Sequence, residues 1–185
     1  MVRGGGLVDV KRNIITWLII SGALLIGFAA YSLWNQSEKA QSQNKLPAFT
    51  LMDVEGHSFN LYNRQVKPII IHFMAISCGG EFSAINANQM QELVKLKEAL
   101  GDQAEIVTVV VTTCTTTDLV EFKNYFNVTW TFGNDYADNK LDILEAFRDF
   151  KLTDGAIIIG TSQNGFQEMI REEVDASTLR QKLGL

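Results

Sequence analysis

The sequence lacks the short motifs that bind nucleotide phosphates: it contains neither a P-loop nor a GxGxxG pattern, and it shows no internal repeat. Basic side chains are also scarce outside the N-terminus. Residues 1–45 hold five basic and two acidic side chains, a net charge of +3. Since the whole chain has a net charge of −5, residues 46–185 carry −8. Because an acidic domain repels phosphate, nucleic acid is not an expected partner.

Cysteine is scarce as well, and the chain holds only Cys78 and Cys114. Cys78 lies in the stretch FMAISCGGEFSAINANQM, where an apolar run passes two glycines and enters a helical pattern. A redox protein typically keeps its nucleophile at such a strand-to-helix turn, with a second cysteine three or four residues further on. Those positions are Glu81 and Phe82. The partner is therefore missing, lies elsewhere in the chain, or was never needed.

Charge is absent from one long stretch, residues 14–34 (IITWLIISGALLIGFAAYSLW). As a helix, this stretch would extend roughly 32 Å, about the thickness of bilayer hydrocarbon. Trp17 and Trp34 lie near its two ends, as interfacial aromatic residues do, and three basic residues precede it. We expect a retained transmembrane helix. A cleaved signal peptide is the main alternative, and a buried core helix is a weaker one.

This helix sets the expected organisation of the chain. By the positive-inside tendency, residues 1–13 form a cytoplasmic N-terminus and residues 14–34 the single membrane span. Residues 35–45 are polar without periodic apolar positions, which predicts a flexible linker. Residues 46–185 then form an extracytoplasmic domain. Membrane lipid is therefore an expected partner, through residues 14–34.

The remaining sequence predicts strands that alternate with helices. Strands are predicted over residues 49–52, 58–62, 68–75, 106–111, 156–159 and 166–171. Helices are predicted over residues 81–100, 117–126 and 141–150, with a closing helix capped by Asp175 or Ser177. The apolar periodicity of the first helix comes from Phe82, Ile85, Met90, Leu93, Leu96 and Leu100. This order predicts a thioredoxin-like α/β sandwich with a central mixed sheet and flanking helices.

The segment PAFTLMDVEGHSFNLYNRQVKPIIIHFMAISC resembles the start of the membrane-anchored thioredoxin-like families, TlpA/ResA and the Sco-type cytochrome oxidase assembly proteins. These families read P-x-F-x-L-x-D-x-x-G and then K-P-x-x-x-x-F-x-A-x-x-C, and the resemblance covers nearly all of residues 46–185. It implies their fold, with Cys78 on the first cysteine. The second would fall at Glu81 in TlpA/ResA and at Phe82 in Sco proteins.

Three further positions depart from these patterns. Asp154 stands where the Sco resemblance implies a copper-binding histidine, and Ala156 stands at the cis-proline of thioredoxins. Ala75 replaces the threonine that peroxiredoxins carry three residues before their cysteine, so a peroxidase is not expected.

Cys114 offers a partner for Cys78, because it follows the buried run IVTVVVTT. In the predicted sheet both cysteines leave neighbouring parallel strands at the same edge, and cysteines in an exported domain tend to pair. A helix N-terminus favours the Cys78 thiolate, and Gly79 and Gly80 leave it accessible. Glu81 opposes ionisation by raising the pKa of the thiol. A partly buried, inert thiol is the alternative.

Other titratable residues have simpler interpretations. His72 is expected to be a neutral, hydrogen-bonded core residue, and His57 a solvated turn residue. Asp135, Asp138 and Asp142 flank a helix start, where capping explains them better than calcium does. We expect no metal ion and no cofactor.

The favoured hypothesis is a membrane-tethered, extracytoplasmic thiol-disulfide oxidoreductase that acts on a protein thiol or disulfide. Cys78 would attack, Cys114 would resolve, and Phe82 would pack over the pair. The alternative is a non-catalytic, Sco-like binding or assembly factor in which the same pair is a structural disulfide. A copper chaperone derived from the Sco pattern is the third hypothesis.

Overall fold

The computed structural model describes residues 45–61, 67–77, 83–135, 142–160 and 165–185. All of them belong to one compact unit, Asn44–Leu185. Within these ranges no helix is long and apolar enough to cross a bilayer. The predicted cytoplasmic terminus, membrane span and most of the predicted linker (residues 1–44) lie outside the described residues.

The strands in the described part of the chain form a hairpin and a larger sheet. They are β1 (Thr50–Met52), β2 (Ser58–Asn60), β3 (Ile69–Met74), β4 (Glu105–Val110), β5 (Thr131–Asn134), β6 (Ile157–Gly160) and β7 (Phe166–Ile170). β1 and β2 pair with each other, and the other strands form a sheet in the order β5-β4-β3-β6-β7. β3, β4 and β5 are parallel, whereas β6 and β7 are antiparallel to their neighbours. The predicted mixed sheet is confirmed.

Helices follow three of these strands and close the described chain. They are α1 (Ala84–Leu100), α2 (Thr116–Tyr125), α3 (Asp142–Ala146) and α4 (Ala176–Leu183), with a 3-10 turn at Arg148–Phe150. Ser83 caps α1, and Asp175 caps α4 as one of the two predicted residues. α2 begins earlier than predicted, because Thr115 and Asp118 form a reciprocal capping box.

β3 explains why the sheet is central, because all six of its residues are buried. Alternate side chains point to opposite faces, so both faces must be covered. On one face, Ile70 and Met74 pack in a core with Leu93 of α1 and Leu179 of α4. On the other face, Ile69, Ile71 and Phe73 pack in a second core with the β1–β2 hairpin and α3.

A segment that we call the N-terminal strap (residues 45–54) contacts both edge strands of the sheet. Lys45 pairs with Gly165 just before β7, and Asp53 pairs with Gly133 in β5. A Cβ atom at Gly133 would lie 2.3 Å from the carbonyl oxygen of Met52, closer than real atoms approach. The missing side chain at Gly133 therefore allows the strap to lie against β5.

Three details differ from the sequence prediction. β5 was not predicted, because its short sequence TFGN includes a glycine and no long apolar run. The predicted helix over 141–150 is a short α3 followed by a 3-10 turn. Ile85 was predicted on the buried face of the helix but is 52% exposed, whereas Asn86 and Gln89 are fully buried.

Candidate functional site

The candidate site lies where β3 and β4 end side by side at Met74 and Val110. Val111 continues the ladder by donating its N–H to the carbonyl of Met74 at 2.9 Å. Residues that follow these two strands therefore leave the sheet at one edge, which is where open α/β sheets hold their binding sites.

Thr112 joins the two exits beyond the ladder. Its hydroxyl accepts a hydrogen bond from the Ile76 N–H at 3.1 Å and donates one to the Ile76 carbonyl at 2.9 Å. One side chain thus satisfies both backbone groups of a residue that has left the sheet. Thr112 lies two residues before Cys114, and Ile76 lies two residues before Cys78.

Cys114 is half-buried and lies directly before Thr115, the N-cap of α2. Its sulfur is 3.8 Å from the carbonyl oxygen of Ile76, and its own carbonyl accepts a hydrogen bond from the Asn134 side chain at 3.3 Å. Cys114 is disulfide-bonded and has no titrating thiol. The predicted partner Cys78, together with Gly79, Gly80, Glu81 and Phe82, lies outside the described residues.

Asp154 and Asn86 hold the opposite side of the β3 exit. The N–H of Ala75 donates to Asp154 Oδ1 at 2.7 Å, and the Asn86 amide donates to the Ala75 carbonyl at 2.7 Å. The same amide also lies 3.0 and 3.1 Å from the two Asp154 carboxylate oxygens. Ser83 adds a hydroxyl donor to Asp154 Oδ2 at 3.4 Å. We call these four residues (Ala75, Ser83, Asn86 and Asp154) the carboxylate clamp.

Ala156, at the position of the thioredoxin cis-proline, is fully buried beside β3. Its carbonyl accepts a hydrogen bond from the Phe73 N–H at 2.8 Å, and its N–H donates to Thr153 at 3.0 Å. No cis peptide bond occurs among the described residues. Ala156 thus extends the pairing of β3 by one backbone hydrogen bond beyond β6.

His72 is completely buried in the middle of β3, opposite Thr108 of β4 and Ile157 of β6. Burial lowers the pKa of its imidazole to about 4, and the negative charge of Asp154 opposes this only in part. The predicted neutral state is therefore supported. The predicted hydrogen bonding is wrong, because neither ring nitrogen has a partner among the described residues.

The remaining acidic and histidine candidates have local explanations. Asp135 accepts hydrogen bonds from the N–H groups of Ile143 and Leu144 at 2.7 Å each, so its predicted capping role is confirmed. Burial raises the pKa of Asp135. His57 is largely exposed as predicted, next to Asp53. Asp138 lies outside the described residues.

A large cleft of about 790 Å³ lies away from Cys114, near the N-terminal ends of β4 and β5. Its walls carry charges of both signs, including Lys67, Lys97 and Glu105. Among the described residues, its lining includes neither a cysteine nor a histidine, so we assign the redox chemistry to the β3–β4 edge instead.

Sequence reasoning missed two residues of the site. Thr112 was missed because nothing in its local sequence distinguishes it from an ordinary loop residue, although it connects the two strand exits. Asn86 was missed because a polar residue gives no signal in a search for apolar periodicity. The sequence did contain a signal for Thr112: it lies two residues before Cys114, just as Ile76 lies two residues before Cys78.

Comparison with known proteins shows the fold. No protein-family model and no curated protein matches the chain. Among solved structures, a thioredoxin-family thiol:disulfide interchange protein from Chlorobium tepidum superposes with a TM-score of 0.65 at 11% identity, covering 77% of this chain and 94% of that protein. StoA from Bacillus subtilis gives a TM-score of 0.57 at 13% identity, covering 74% and 96%.

A third similar structure is a secreted disulfide oxidoreductase from Mycobacterium tuberculosis that is homologous to DsbE of Escherichia coli. It gives a TM-score of 0.59 at 16% identity, covering 74% of this chain and 94% of that one. The predicted thioredoxin-like α/β fold is therefore confirmed. At these identities the likeness concerns the fold, and the activity has to be argued from the site itself.

Proposed function

We propose that the protein is a thiol-disulfide oxidoreductase in which Cys78 and Cys114 form the redox pair. The domain would act on protein thiols or disulfides outside the cytoplasm, tethered to the membrane by residues 14–34. The proposal joins the thioredoxin-like fold to the position of Cys114 at the edge where β3 and β4 end.

The observation that carries the proposal is the register of β3 and β4. Each paired residue of β4 is 36 positions beyond its partner in β3, from Ile69 with Glu105 to Met74 with Val110. The two cysteines are separated by the same 36 positions. Continued at this offset, the register would bring Cys78 opposite Cys114, and this supports the proposed pairing.

Two further facts support this pairing. The Thr112–Ile76 contacts maintain the offset of 36 beyond the last ladder pair, up to two residues before each cysteine. Neighbouring strands are separated by about 4.8 Å, which lies within the range of roughly 4.4–6.8 Å between Cα atoms that a disulfide spans. Cys114 is disulfide-bonded, and the sequence contains one other cysteine.

The proposed chemistry is an exchange of two electrons and two protons. In the reduced protein, the Cys78 thiolate attacks a client disulfide, forms a mixed disulfide and releases one client thiolate. The Cys114 thiolate then attacks the Cys78 sulfur, closes the intramolecular disulfide and releases the second client thiolate. The two released thiolates take up the protons lost by the two cysteines, so the client is reduced and the protein is oxidised.

The first test compares the full-length chain with its Cys78→Ser and Cys114→Ser variants. We expect intact mass after alkylation to show one disulfide and no free thiol in wild type isolated without reductant. Cys114→Ser should accumulate a mixed disulfide with a client through Cys78, because the resolving thiol is missing. Two free thiols in the wild type would reject the pairing.

The reduction potential decides whether the pair cycles. A catalytic pair should equilibrate with glutathione buffers, whereas a structural disulfide has a potential below about −300 mV and should resist them. A potential that low would favour the binding or assembly factor with a structural disulfide. The copper chaperone has little support, because Asp154 at the copper-histidine position is engaged by Ala75 and Asn86.

The proposed tether is tested by topology. Full-length protein in membranes should resist alkaline extraction, and protease added outside the cytoplasm should degrade residues 46–185 while residues 1–13 stay protected. A soluble mature form that begins near residue 30 would show a cleaved signal peptide instead.

A further inference from the structure

We infer that Asp154 is a positioning residue for the proposed redox pair, because its carboxylate fixes both ends of the segment that carries Cys78. The inference rests on the proposed function and gives a role to Asp154, which occupies the position where the Sco pattern has a metal-binding histidine.

The clamp contacts lie on both sides of Cys78 in sequence. Ala75, which donates its N–H to Asp154, is three residues before Cys78. Ser83, which donates its hydroxyl to the other carboxylate oxygen, is five residues after it. The Asp154 side chain therefore links Ala75 to Ser83, which lie before and after Cys78 in the sequence.

Each end is held by more than the carboxylate alone. The Ser83 oxygen also accepts the N–H of Asn86 at 3.2 Å as the N-cap of α1, so the clamp includes the first turn of that helix. The Asn86 amide contacts both Asp154 and the Ala75 carbonyl. Asn86 is fully buried, which fixes its orientation within the packed core.

The clamp replaces a strand that has already ended. The β3–β6 ladder stops at His72 with Ile157, and among the described residues the Phe73 N–H to Ala156 bond is the last backbone contact on that side. The Ala75 backbone would then have no partner from β6. Asp154 supplies the missing acceptor and Asn86 the missing donor, so the end of β3 stays ordered up to the segment that carries Cys78.

Gly155 allows Asp154 to reach this position. Its backbone has a φ of +76°, a conformation that residues with side chains rarely adopt. A Cβ atom there would also lie 3.2 Å from the Ile85 side chain at the start of α1. The turn at Gly155 thus brings the loop before β6 against the N-terminal end of α1 and sets Asp154 between Ala75 and Asn86.

The consequence is an effect on the equilibrium between dithiol and disulfide. A segment fixed at both ends presents Cys78 to Cys114 at a higher effective concentration than a free segment does, because less chain entropy is lost on bond formation. Without the clamp, the pair should form less readily. The loss of hydrogen bonds to a charged group is sufficient to change the equilibrium by about tenfold.

The test uses the full-length chain in detergent, equilibrated with glutathione buffers, acid-quenched, alkylated and analysed by intact mass. Asp154→Ala should lower the equilibrium constant for disulfide formation by about tenfold. The equilibrium constant of Asp154→Asn should lie between those of this variant and wild type. Its amide oxygen still accepts the Ala75 N–H, but its NH2 group faces the NH2 group of Asn86, and two donors cannot bond to each other. Asp149→Ala, at an exposed aspartate outside the clamp, should match wild type.

Stability measured on both redox forms separates positioning from a general structural role. If Asp154 only stabilises the fold, pulse proteolysis in urea will show equal losses in the oxidised and reduced forms, and by linkage the equilibrium constant will not change. That result would overturn the inference. If Asp154→Ala fails to fold, the same comparison is made with Asp154→Asn, and a wild-type constant there overturns it equally. A wild-type protein with two free thiols would instead reject the proposed function, and the inference with it.

Discussion

The two faces of the central sheet differ in kind. The face toward the β1–β2 hairpin and α3 is built from apolar side chains such as Ile71, Phe73 and Phe147, and the buried carboxylate of Asp135 lies only at the end of β5, where it caps α3. The face toward α1 and α4 also contains buried polar side chains, namely His72, Asn86, Gln89 and Thr108. Three of these four make hydrogen bonds: Asn86 in the clamp, Gln89 with the Val174 backbone, and Thr108 with the Trp130 indole at 3.0 Å.

This difference indicates that hydrogen-bond geometry specifies the packing on the face toward α1 and α4, whereas burial of apolar volume specifies it on the other face. An apolar face tolerates many arrangements of similar volume, whereas each buried polar group requires a partner in one position. The polar face is also the one that carries the clamp. His72 is the exception on that face, because neither of its ring nitrogens has a hydrogen-bond partner among the described residues, whereas Asn86 lacks a partner there only at its Oδ1. The following predictions test the contrast.

Truncation on the apolar face should have the largest effect. Phe147 is fully buried, and its ring lies 5.1 Å from Phe73 and 5.8 Å from Phe49 between ring centroids. Phe147→Ala should lower the free energy of unfolding by about 3–5 kcal/mol, measured by urea pulse proteolysis. Phe150→Ala, at a partly buried ring, is the matched control and should cost less. Equal losses of unfolding free energy in the two variants would mean that the burial of a ring does not determine its contribution to stability.

On the polar face, removal of one hydrogen-bonding side chain should cost somewhat less. Gln89 accepts a bond from the Val174 N–H at 3.0 Å and donates one to the Val174 carbonyl at 3.1 Å. Gln89→Leu leaves both backbone groups unsatisfied and should cost about 2–4 kcal/mol. Gln167→Leu is the control, since that side chain makes an exposed contact with Lys182. A neutral Gln89→Leu would show that volume alone specifies this face.

The unpartnered His72 should make stability depend on pH. Its pKa is about 4 in the folded protein and 6.5 ordinarily, so the folded state excludes a proton that the unfolded state binds. The contribution of neutral His72 to the free energy of unfolding is therefore fully present above pH 6.5 and is lost as the pH falls from 6.5 towards 4. The loss between pH 7 and pH 5 should be about 2 kcal/mol.

His72→Leu isolates this contribution from those of the carboxylates. The variant should be more stable than wild type at pH 7 by about 1 kcal/mol, because it removes two unsatisfied nitrogens, and its curve should be flatter between pH 7 and 5. His57→Gln, at an exposed histidine, should keep the wild-type slope. A slope unchanged in His72→Leu would contradict the assignment.

The smallest effect is expected at Ile85, which lies on α1 but is 52% exposed. Ile85→Ser should change the free energy of unfolding by less than about 0.5 kcal/mol. Leu93→Ala on the same helix should cost about 2–5 kcal/mol, because Leu93 is fully buried. If Ile85→Ser were as costly as Leu93→Ala, the predicted burial of Ile85 would be right and its observed exposure wrong.

Much of the fold could be predicted because β3 and β4 are continuous apolar runs, which requires burial on both faces. β5 could not, because its membership in the sheet depends on pairing with Val107 through Val110 rather than on its own sequence. On α1 the predicted burial was right for Leu93 and wrong for Ile85, because a hydrophobic side chain was assumed to face the core, although Asn86 points inward there instead.

The site was predictable only in part. That Cys114 follows a buried strand could be deduced from the sequence, since parallel strands share a carboxyl edge. The clamp could not, because Asn86 and Asp154 are 68 positions apart and neither belongs to a periodic pattern. The hydrogen bonds of Thr112 depend on the register of two strands, which an isolated threonine does not reveal.

The N-terminal strap has a consequence for aggregation. Strands at the edges of a sheet expose backbone groups that can recruit strands from other molecules. Here the Val54 N–H donates to Phe132 at 3.0 Å, Asp53 pairs with Gly133, and Lys45 pairs with Gly165 next to β7. The strap therefore shields parts of both edges from intermolecular pairing. Loss of residues 45–54 by proteolysis should leave a sheet that self-associates into β-rich aggregates, detectable by light scattering and thioflavin fluorescence.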